Sequence, residues 1–361
     1  MKVGIVTFWN ATNYGAVLQL FALERVLSAM NVEAETIAYI PIKKVGVKEK
    51  VKTFIERMEV LIGFHNRKDS FGKFRYGQLR LSKQVTRVDE LKKLSQNYDY
   101  IIAGSDQIWN YKLSKMEGFY FCEFAENKKK IAYAASFGVS EIPVEFRSRY
   151  VEGLNGFRHI SVRETKGSEI VKTLINKDVP TVLDPTLLLN GDEWKDCLSI
   201  STYKDNEEYV LVYCLRKSSY LMRLAQKLCN EKGLKLRVLN PKMRHSFNKE
   251  SLNVADPKKF VEMFYNAKFV LTNSFHGTVF SINFNKTFYV ELWPSIEGNA
   301  NSRMEGILEI CGLKDRIINE SIPYEYIDKD IDWNDVNNRL NIQREKSFKY
   351  LKDSLGVFDT L

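Results

Sequence analysis

The sequence is poor in the features that mark several common classes of protein. Its 361 residues include five cysteines, an odd number without a CxxC pair, so we expect neither a disulfide framework nor a thiolate zinc site. No run of about 18 apolar residues suggests a membrane-spanning helix. The first residues, MKVGIVTFWN, lack the apolar region and cleavage site of a signal peptide. These absences favour a cytoplasmic protein, and no ligand spacing calls for a metal.

Positive charge is in excess but is not concentrated in one segment. Lys and Arg number 54 against 45 Asp and Glu, which gives a formal net charge of +9. Such a charge suits nucleic acid, an anionic substrate or an anionic membrane surface. Because the basic residues are spread along the chain and no nucleic-acid-binding motif is present, we expect no nucleic-acid partner. Any membrane contact is expected to be peripheral.

Apolar runs alternate with helical patterns through the first half of the chain. Residues 3–8 are typical of a buried parallel strand, residues 16–30 have the apolar spacing of a helix, and residues 33–39 follow as a strand. This opening predicts a βαβ unit, and no GxGxxG dinucleotide fingerprint is present. Further strands are predicted at 98–103, 131–137, 160–163 and 179–183, with Leu187-Leu188-Leu189 in the core.

The second half repeats the alternation. Strands are predicted at 209–214, 234–239 and 287–292, and a helix is expected to begin with Asp256 as its N-cap and Pro257 at its first position. Residues 269–271 predict a strand that ends in Thr272-Asn273-Ser274, before a helix N-terminus. The fold class is therefore α/β, with two Rossmann-like domains, their parallel sheets flanked by helices, facing a central cleft.

We expect the first domain to span residues 1–190 and the second to span residues 191–334, with a linker in residues 190–205. A basic excursion at about 41–93 is either a solvated helical surface or a lid for an anionic acceptor. Residues 335–361 predict an amphipathic helix that could pack back on the first domain.

Polar and charged residues follow the predicted strands at several places. Ligands bind beyond the carboxyl ends of strands in open α/β sheets, so these residues are expected to meet in the cleft. One of them is His276, one of only four histidines, in a loop between a strand and a helix. From this stretch alone, a chemical role and a packing or capping role remain equally open. The other groups are Asn13-Tyr14-Gly15, Ser105-Asp106-Gln107, Arg163-Glu164, Asp184, and 299–303.

Seven motifs together resemble one known family. They are NYGAVLQ (13–19), GSDQIWN (104–110), YAASFG (133–138), SVRE (161–164), DPTLLL (184–189), TNSFHGTVFS (272–281) and Asn301-Ser302-Arg303. In this order they resemble the polysaccharide pyruvyl transferase family, over most of the chain except the basic excursion and the tail. The resemblance implies a fold like that of GT-B glycosyltransferases, with the first domain on the acceptor side and the second on the donor side.

The resemblance also implies an activity. Family members transfer a pyruvyl group from phosphoenolpyruvate to two hydroxyls of a hexose in a cell-surface glycan, such as a capsule or exopolysaccharide, and release phosphate as the cyclic ketal forms. Bacterial members typically act on a lipid-linked oligosaccharide at the inner face of the cytoplasmic membrane. The implied protein is cytoplasmic or peripheral at that face. Phosphoenolpyruvate is a co-substrate, and no cofactor or metal is implied.

Candidate roles follow from this chemistry. The methylene carbon of phosphoenolpyruvate must be protonated, and His276 is our candidate general acid. Asp106 is the candidate to accept a hydroxyl proton or to grip the acceptor. The candidate donor ligands are Arg163, Ser274, Gly277, Thr278 and Arg303, with the N–H groups of Gly277 and Thr278 at a helix start. The candidate acceptor ligands are Asn13, Tyr14, Ser105, Gln107 and Trp109.

The chain departs from the family pattern at one position. Many relatives carry an Arg two residues before the motif His, in a pattern like SxRxH, whereas Ser274 stands here. Arg163 or Arg303 could supply the missing cation, although Arg163 could instead pair with a carboxylate as part of the fold. We favour a structural role for Asp184. Two other functions are considered, a nucleotide-sugar glycosyltransferase of the same architecture and a non-catalytic glycan-binding relative.

Overall fold

Two five-stranded parallel sheets, each flanked by helices, form the framework of the protein in a computed structural model. The structure describes residues 1–41, 65–202, 207–239, 245–246, 252, 255–294, 301–321 and 329–357. In spatial order, the first sheet contains Glu33–Thr36, Lys2–Val6, Tyr100–Gly104, Lys130–Ala135 and His159–Val162. The second contains Ile317–Ile318, Thr287–Glu291, Phe269–Thr272, Tyr209–Tyr213 and Lys235–Leu239. The predicted α/β class with two parallel sheets is confirmed.

Helices connect the strands and cover the sheets. A short antiparallel pair, His65–Asn66 with His245–Ser246, lies outside the two main sheets. The α-helices are Tyr14–Ala29, Arg67–Gln78, Val88–Ser95, Tyr111–Ser114, Val144–Asn155, Thr165–Ile175, Gly191–Leu198, Ser219–Lys232, Pro257–Asn266, Phe275–Asn283, Ser302–Ile310 and Trp333–Leu355. Short 3₁₀ turns occur at Gly118–Phe121, Asn127–Lys129, Pro185–Leu187 and Lys314–Arg316.

Local sequence signals explain where the helices near the cleft begin. The Asp256 side chain accepts a hydrogen bond from the Lys259 N–H at 2.7 Å, and Pro257 occupies the first turn, so the predicted start is confirmed. Asn13 caps the first helix by accepting from the Ala16 N–H at 3.1 Å. None of the helices within the described ranges is both long enough and apolar enough to cross a lipid bilayer.

Three predicted elements differ from the structure. The second strand covers Glu33–Thr36 and does not continue to residue 39. Residues 179–183 pair with the sheet only at one bridge between Val162 and Thr181, because Pro180 has no N–H to donate to a ladder. The predicted linker contains the helix Gly191–Leu198, whose Trp194 is fully buried. The first part of that segment is therefore packed structure.

A continuous apolar cluster joins the two sheets. The ring of Tyr14, from the first helix, stacks on Phe260 with centroids 4.2 Å apart, and the Tyr14 hydroxyl donates to the Ala255 carbonyl at 2.8 Å. The Trp194 ring packs against Phe21 and Phe280. Such packing fixes the strand ends of one sheet relative to those of the other. The two sheets therefore share one apolar core.

The helix Trp333–Leu355 lies against both halves of the frame. Its Tyr350 hydroxyl donates to the Ala132 carbonyl at 2.9 Å, in the first sheet. Its Arg344 donates to the Leu187 carbonyl at 2.7 Å and to the Asn283 side chain at 3.3 Å. Of the predicted basic excursion, residues 42–64 lie outside the described residues, and the remainder includes the helices Arg67–Gln78 and Val88–Ser95.

Candidate active site between the two sheets

The strand order of each sheet determines where a site can form. In the first sheet, Lys2–Val6 lies between Glu33–Thr36 and Tyr100–Gly104. The chain therefore passes first to the strand on one side of Lys2–Val6 and then to the strand on its other side. The crevice at such a switch point, beyond the carboxyl ends of the strands, is where α/β sheets bind ligands. Thr7 follows one of these strand ends and Ser105 follows the other, and the Thr7 hydroxyl donates to the Ser105 carbonyl at 3.1 Å.

His276 lies in the first turn of Phe275–Asn283, directly beyond the strand Phe269–Thr272. Its imidazole packs against the first turn of the helix Tyr14–Ala29. A Cβ at Gly15 would lie only 2.0 Å from His276 Nδ1, so this close approach requires glycine. The side chain is 11% exposed, and Nε2 is buried without a hydrogen-bond partner among the described residues. The imidazole therefore lies where the two halves of the frame meet.

Asp184 organises the charged groups beside the imidazole. Its Oδ2 atom lies 3.9 Å from His276 Nε2 and 2.5 Å from Arg163 Nη1. Oδ2 also accepts from the Ser105 hydroxyl at 3.2 Å. Its Oδ1 accepts from the N–H and hydroxyl of Thr186 at 3.0 and 2.6 Å. The carboxylate is completely buried, so these contacts fix its position and that of the guanidinium.

Arg163 also lies close to two carboxylates besides that of Asp184. Its Nη2 atom lies 3.9 Å from Asp106 Oδ1, and its Nε atom lies 4.0 Å from Glu164 Oε2. Glu164 Oε1 accepts from the hydroxyl of Ser136 and from the N–H groups of Phe137 and Gly138. Arg163 Nε and Nη2 and Glu164 Oε2 are buried without hydrogen-bond partners in the described part of the chain. Two nitrogen atoms of Arg163 are thus close to carboxylates but make no hydrogen bond.

Arg303 completes the cationic side of the site. Its guanidinium carbon lies 5.6 Å from the centroid of the Phe275 ring, and that of Arg163 lies 5.0 Å from the same centroid. Phe275 therefore supports both guanidinium groups through cation–π contacts. Arg303 Nε is buried and has no hydrogen-bond partner in the ranges that the structure covers.

Burial and neighbouring charges tune the ionisation of these groups. Burial lowers the pKa of His276 to about 4, with Arg163 and Arg303 adding to this effect and Asp184 and Asp106 opposing it. Burial raises the pKa of Asp184, but Arg163, His276 and the Thr186 hydrogen bonds together lower it to about 2. Burial and, to a smaller extent, the charge of Arg163 together lower the pKa of Arg303 to about 10, against the opposing effect of nearby carboxylates. At neutral pH, the histidine is neutral, the carboxylate is ionised and the arginines are charged.

Two cavities flank this network. One, of about 540 Å³, contains Phe275, three cations and five carboxylates, and is called the donor cavity below after the donor ligands predicted in it. The charged residues of its lining are Arg163, Lys166, Arg303, Glu164, Glu169, Asp184, Glu305 and Glu309. The other, of about 460 Å³, is lined by Asn13, Asp106, Gln107, Glu117 and Tyr120, among others, and is called the acceptor cavity. Asp106 lines the acceptor cavity, and the Arg163 guanidinium 3.9 Å from it lines the donor cavity. Both volumes are typical of small-molecule sites.

Asp106 is held toward the acceptor cavity by an unusual backbone. Its φ of 72° lies in the left-handed region, which few residues other than glycine, Asn and Asp adopt. The carbonyl of Asp106 accepts from the Ser136 N–H at 2.9 Å, and its side chain accepts from the Gln107 N–H at 2.8 Å. The side chain remains 13% exposed. Such a backbone outlier at a cleft is consistent with a functional position.

The structure brings together His276, Asp106, Arg163 and Arg303, as the sequence predicted, and places Asn13 and Gln107 on the acceptor cavity. Three predicted acceptor ligands need correction because their side chains are fully buried. Tyr14 belongs to the apolar contact between the two halves, and Trp109 packs in the core and donates to the Tyr120 carbonyl. Ser105 donates to Asp184 instead of facing the acceptor cavity.

The predicted donor role of Ser274, Gly277 and Thr278 is not supported either. The Ser274 side chain caps the helix by accepting from the Gly277 N–H at 3.4 Å. The Thr278 N–H and hydroxyl both donate to the Ser274 carbonyl. All three residues are buried. The Ser274 N–H donates to the Thr272 hydroxyl at 3.1 Å, and the N–H groups of Gly277 and Thr278 are used in the first turn of the helix. In the predicted set, Arg163 and Arg303 are the donor ligands that line a cavity.

Several residues that support the site through packing were not among the candidates from the sequence. Phe275 was not singled out, although it stands beside the motif histidine and supports both arginines. The aromatic residues of the acceptor cavity, such as Phe8 and Tyr120, were also missed. Phe8 follows the first strand and Tyr120 follows the GSDQIWN motif, and these positions were the available signal. A single aromatic residue after a strand, however, is more often part of the core.

Comparisons with known proteins agree with this architecture. The S. aureus MnaA–UDP structure has a TM-score of 0.52 at 11% identity, over 99% of this chain and 97% of the other. The UDP-GlcNAc 2-epimerase from Neisseria meningitidis bound to UDP-GlcNAc has a TM-score of 0.50 at 9% identity, over 99% and 95%. Likeness at this identity shows the fold alone, and it confirms the predicted GT-B-like arrangement. A comparison with curated proteins gave no match.

A family comparison matches a much more specific pattern. The model of the family described as polysaccharide pyruvyl transferase matches residues 13–292, well over half of the 361-residue chain. That range includes His276, Asp106, Arg163 and Asp184, the centre of the network between the two cavities. The chain therefore belongs to the polysaccharide pyruvyl transferase family.

Proposed function

We propose that this protein transfers the pyruvyl group of phosphoenolpyruvate to two hydroxyls of a hexose in a cell-surface polysaccharide precursor, forms a cyclic ketal and releases phosphate. One observation carries the proposal. The neutral imidazole of His276 lies 3.9 Å from Asp184, which lines the cavity that contains Arg163 and Arg303, and it packs against Gly15, close in the chain to Asn13 and Ala16 of the cavity that contains Asp106. An anionic donor, a proton-transfer group and a hydroxyl acceptor can therefore be accommodated side by side.

The donor cavity offers two guanidinium groups and the Lys166 ammonium to an anionic ligand, beside the carboxylates of Glu164, Glu169, Asp184, Glu305 and Glu309. Phosphoenolpyruvate carries a phosphate and a carboxylate, and guanidinium groups bind both through charge-assisted hydrogen bonds. Arg163 Nε and Nη2 and Arg303 Nε are buried donors without hydrogen-bond partners among the described residues, and the two Arg163 atoms lie 4.0 and 3.9 Å from the carboxylates of Glu164 and Asp106. Asp184 already pairs with Arg163, so Arg303 is the better candidate to replace the arginine that relatives carry at the position of Ser274.

The reaction can be written with these residues in named roles. The first sugar hydroxyl adds to the enol carbon while the methylene carbon gains a proton and becomes a methyl group. Neutral His276 can take up a proton and deliver it to the methylene, and Asp106 can accept the proton of the attacking hydroxyl. Phosphate then leaves with its bridging oxygen, the second hydroxyl adds to the same carbon, and its proton is lost. The products are the ketal and inorganic phosphate.

Acid catalysis requires His276 to be protonated, although its pKa in the free protein is about 4. Negative charge of a bound donor raises that pKa, so binding at neutral pH is expected to take up a proton. We predict uptake of up to one proton per phosphoenolpyruvate, and donor affinity that falls as pH rises through the pKa of the complex. Calorimetry in buffers of different ionisation enthalpy measures this uptake.

The His276→Gln variant supplies the matched control, because the donor phosphate itself titrates near neutral pH. The wild type should take up more protons on binding phosphoenolpyruvate than the variant does. Asp184 stays ionised well below this range, at a pKa of about 2, and contributes nothing to the difference. Equal uptake by the two proteins would remove His276 from the proposed acid role.

Thermal unfolding separates the proposal from a nucleotide-sugar glycosyltransferase. Phosphoenolpyruvate at 100 times its Kd is expected to stabilise the folded protein by about 2.7 kcal/mol, whereas UDP-sugars give no shift. Arg303→Leu should lose the shift with phosphoenolpyruvate, and Arg223→Leu, at an exposed position that lines neither cavity, should keep it. A shift with UDP-sugars alone would favour the glycosyltransferase.

The proposal extends to the setting of the reaction. We propose a lipid-linked oligosaccharide as the acceptor and peripheral contact with the inner face of the cytoplasmic membrane. The formal charge of +9 supports contact with an anionic surface and with a pyrophosphate-linked lipid.

A further inference from the structure

Aromatic side chains form one wall of the acceptor cavity. The wall consists of Phe8, Tyr39, Phe119 and Tyr120. The Phe8 and Tyr120 ring centroids lie 4.9 Å apart, as do those of Tyr39 and Phe119, and Phe119 lies 5.2 Å from Tyr120. Phe8, Tyr39 and Tyr120 are half-buried, so each ring has an accessible part. The contacts between the rings fix them in place, which reduces the entropy lost when a ligand binds.

The charge of this cavity is opposite in sign to that of the whole protein. Asp106 and Glu117 line it, and no Lys, Arg or His is among its described lining residues. Burial raises the pKa of the Tyr120 phenol, and the nearby carboxylates of Glu117 and Asp106 raise it further. The donor cavity also has more carboxylates than cations, but it does contain cations, namely Arg163, Lys166 and Arg303. The two cavities thus differ in whether a cation is present to pair with an anionic ligand.

From these observations we propose that the acceptor cavity selects an uncharged or amine-bearing sugar ring, which stacks on the aromatic wall, and that Asp106 and Glu117 exclude acidic sugars. The C–H groups on one face of a pyranose carry partial positive charge, which suits the negative face of an aromatic ring. A uronic acid carboxylate in the same cavity would meet two like charges and, among the lining residues that the structure describes, no cation. The inference rests on the proposed function for the identity of the acceptor as a sugar.

The charged residues of the two cavities also favour binding of the two substrates at different places. Phosphoenolpyruvate is repelled from the acceptor cavity by Asp106 and Glu117 and attracted to the arginines of the donor cavity. A neutral sugar gains nothing from those arginines and has the aromatic wall as its surface. Asp106, 3.9 Å from Arg163, lies at the boundary between the two. The sorting therefore places the sugar hydroxyls on the carboxylate side of the site.

Direct binding measurements with the full-length protein test this inference without requiring turnover. The probes are methyl glucoside, methyl galactoside and methyl glucuronide at millimolar concentration, followed by ligand-observed NMR in the absence of phosphoenolpyruvate. The neutral glycosides should bind at least about tenfold more tightly than the glucuronide. Tyr120→Ala should weaken neutral glycoside binding by about tenfold, and Tyr120→Phe should retain it. Glu117→Gln should strengthen glucuronide binding and reduce the difference in affinity between the neutral glycosides and the glucuronide.

The matched control removes a tyrosine ring outside the acceptor cavity. Tyr76 is 71% exposed on a helix outside the cavity, so Tyr76→Ala should bind every probe as the wild type does. The thermal unfolding of each variant identifies any that fail to fold, and Tyr120→Phe keeps the test available if Tyr120→Ala does. Equal affinity for glucuronide, an unchanged affinity in Tyr120→Ala, or no binding by any glycoside would overturn the inference.

The outcomes also separate this inference from the proposed activity. The expected binding pattern without pyruvyl transfer would contradict the proposed function and leave the sugar selectivity standing. Transfer to neutral and acidic sugars at equal rates, with no effect of Tyr120→Ala, would support the activity and overturn the selectivity.

Discussion

Replacing His276 by Gln is expected to lower the rate of pyruvyl transfer by about 10²- to 10⁴-fold, the usual contribution of a positioned acid or base. Glutamine resembles the imidazole in size and cannot carry the proton, so it should fit against Gly15 while removing the proton transfer. The measurement is the rate of phosphate release and of ketal formation with a saturating donor.

His159→Gln is the matched control for this experiment. His159 begins a strand of the first sheet, lies outside both cavities and is partly buried like His276. This variant should react at close to the wild-type rate. Thermal unfolding of both variants checks that each is folded. Transfer by His276→Gln at the wild-type rate would show that another group protonates the methylene carbon.

Replacing Arg163 by Leu is expected to lower the free energy of unfolding by about 3–5 kcal/mol, because it leaves the buried Asp184 carboxylate without its cation. Asp184 would keep its contacts with Ser105 and Thr186, but these carry no compensating charge. The cost should be largest near neutral pH, where Asp184 is ionised, and should shrink as pH falls toward its native pKa of about 2. Denaturant unfolding at several pH values measures it.

Arg303→Leu makes the same chemical change beside the same phenylalanine. Arg303 has no carboxylate within 4.0 Å in the described ranges, and burial disfavours its charge, so this variant should be much less destabilised. A second control adds Asp184→Asn to Arg163→Leu, which removes the uncompensated charge and should recover part of the loss. Equal destabilisation by the two arginine variants would mean that the Arg163–Asp184 ion pair is not what holds this part of the site together.

The frame of the protein could be predicted because buried strands and helices leave periodic apolar patterns. The strands around residues 3–8, 209–214 and 269–271 were found in this way. Residues 179–183 have the same apolar character but pair at a single bridge, because Pro180 cannot donate to a ladder. Local composition does not reveal how many partners a segment has at the edge of a sheet.

The direction of side chains beyond a strand end is what the sequence could not provide. Ser105 turns inward to Asp184, Asp106 turns to the cavity through its left-handed backbone, and Trp109 enters the core. These residues are neighbours in one motif, so their type and spacing suggested a shared role. Irregular loops have no period from which the direction of each side chain could be inferred.

The sequence also could not show which charged groups pair with each other. Asp184 contacts Ser105 and Arg163, which lie 79 and 21 residues away along the chain. The aromatic wall draws on three separate segments, around residues 8, 39 and 119–120. Such sites depend on the arrangement of strand ends, and a single sequence records only that each residue follows a strand.

The most direct test of this account is to incubate the purified protein with phosphoenolpyruvate and a panel of neutral lipid-linked and synthetic hexosides, then to follow product mass and phosphate together. The account predicts an acceptor carrying the mass increment of one pyruvyl ketal, with one phosphate released for each ketal formed. Transfer of a sugar from a nucleotide donor, with no ketal and no phosphate released from phosphoenolpyruvate, would contradict it.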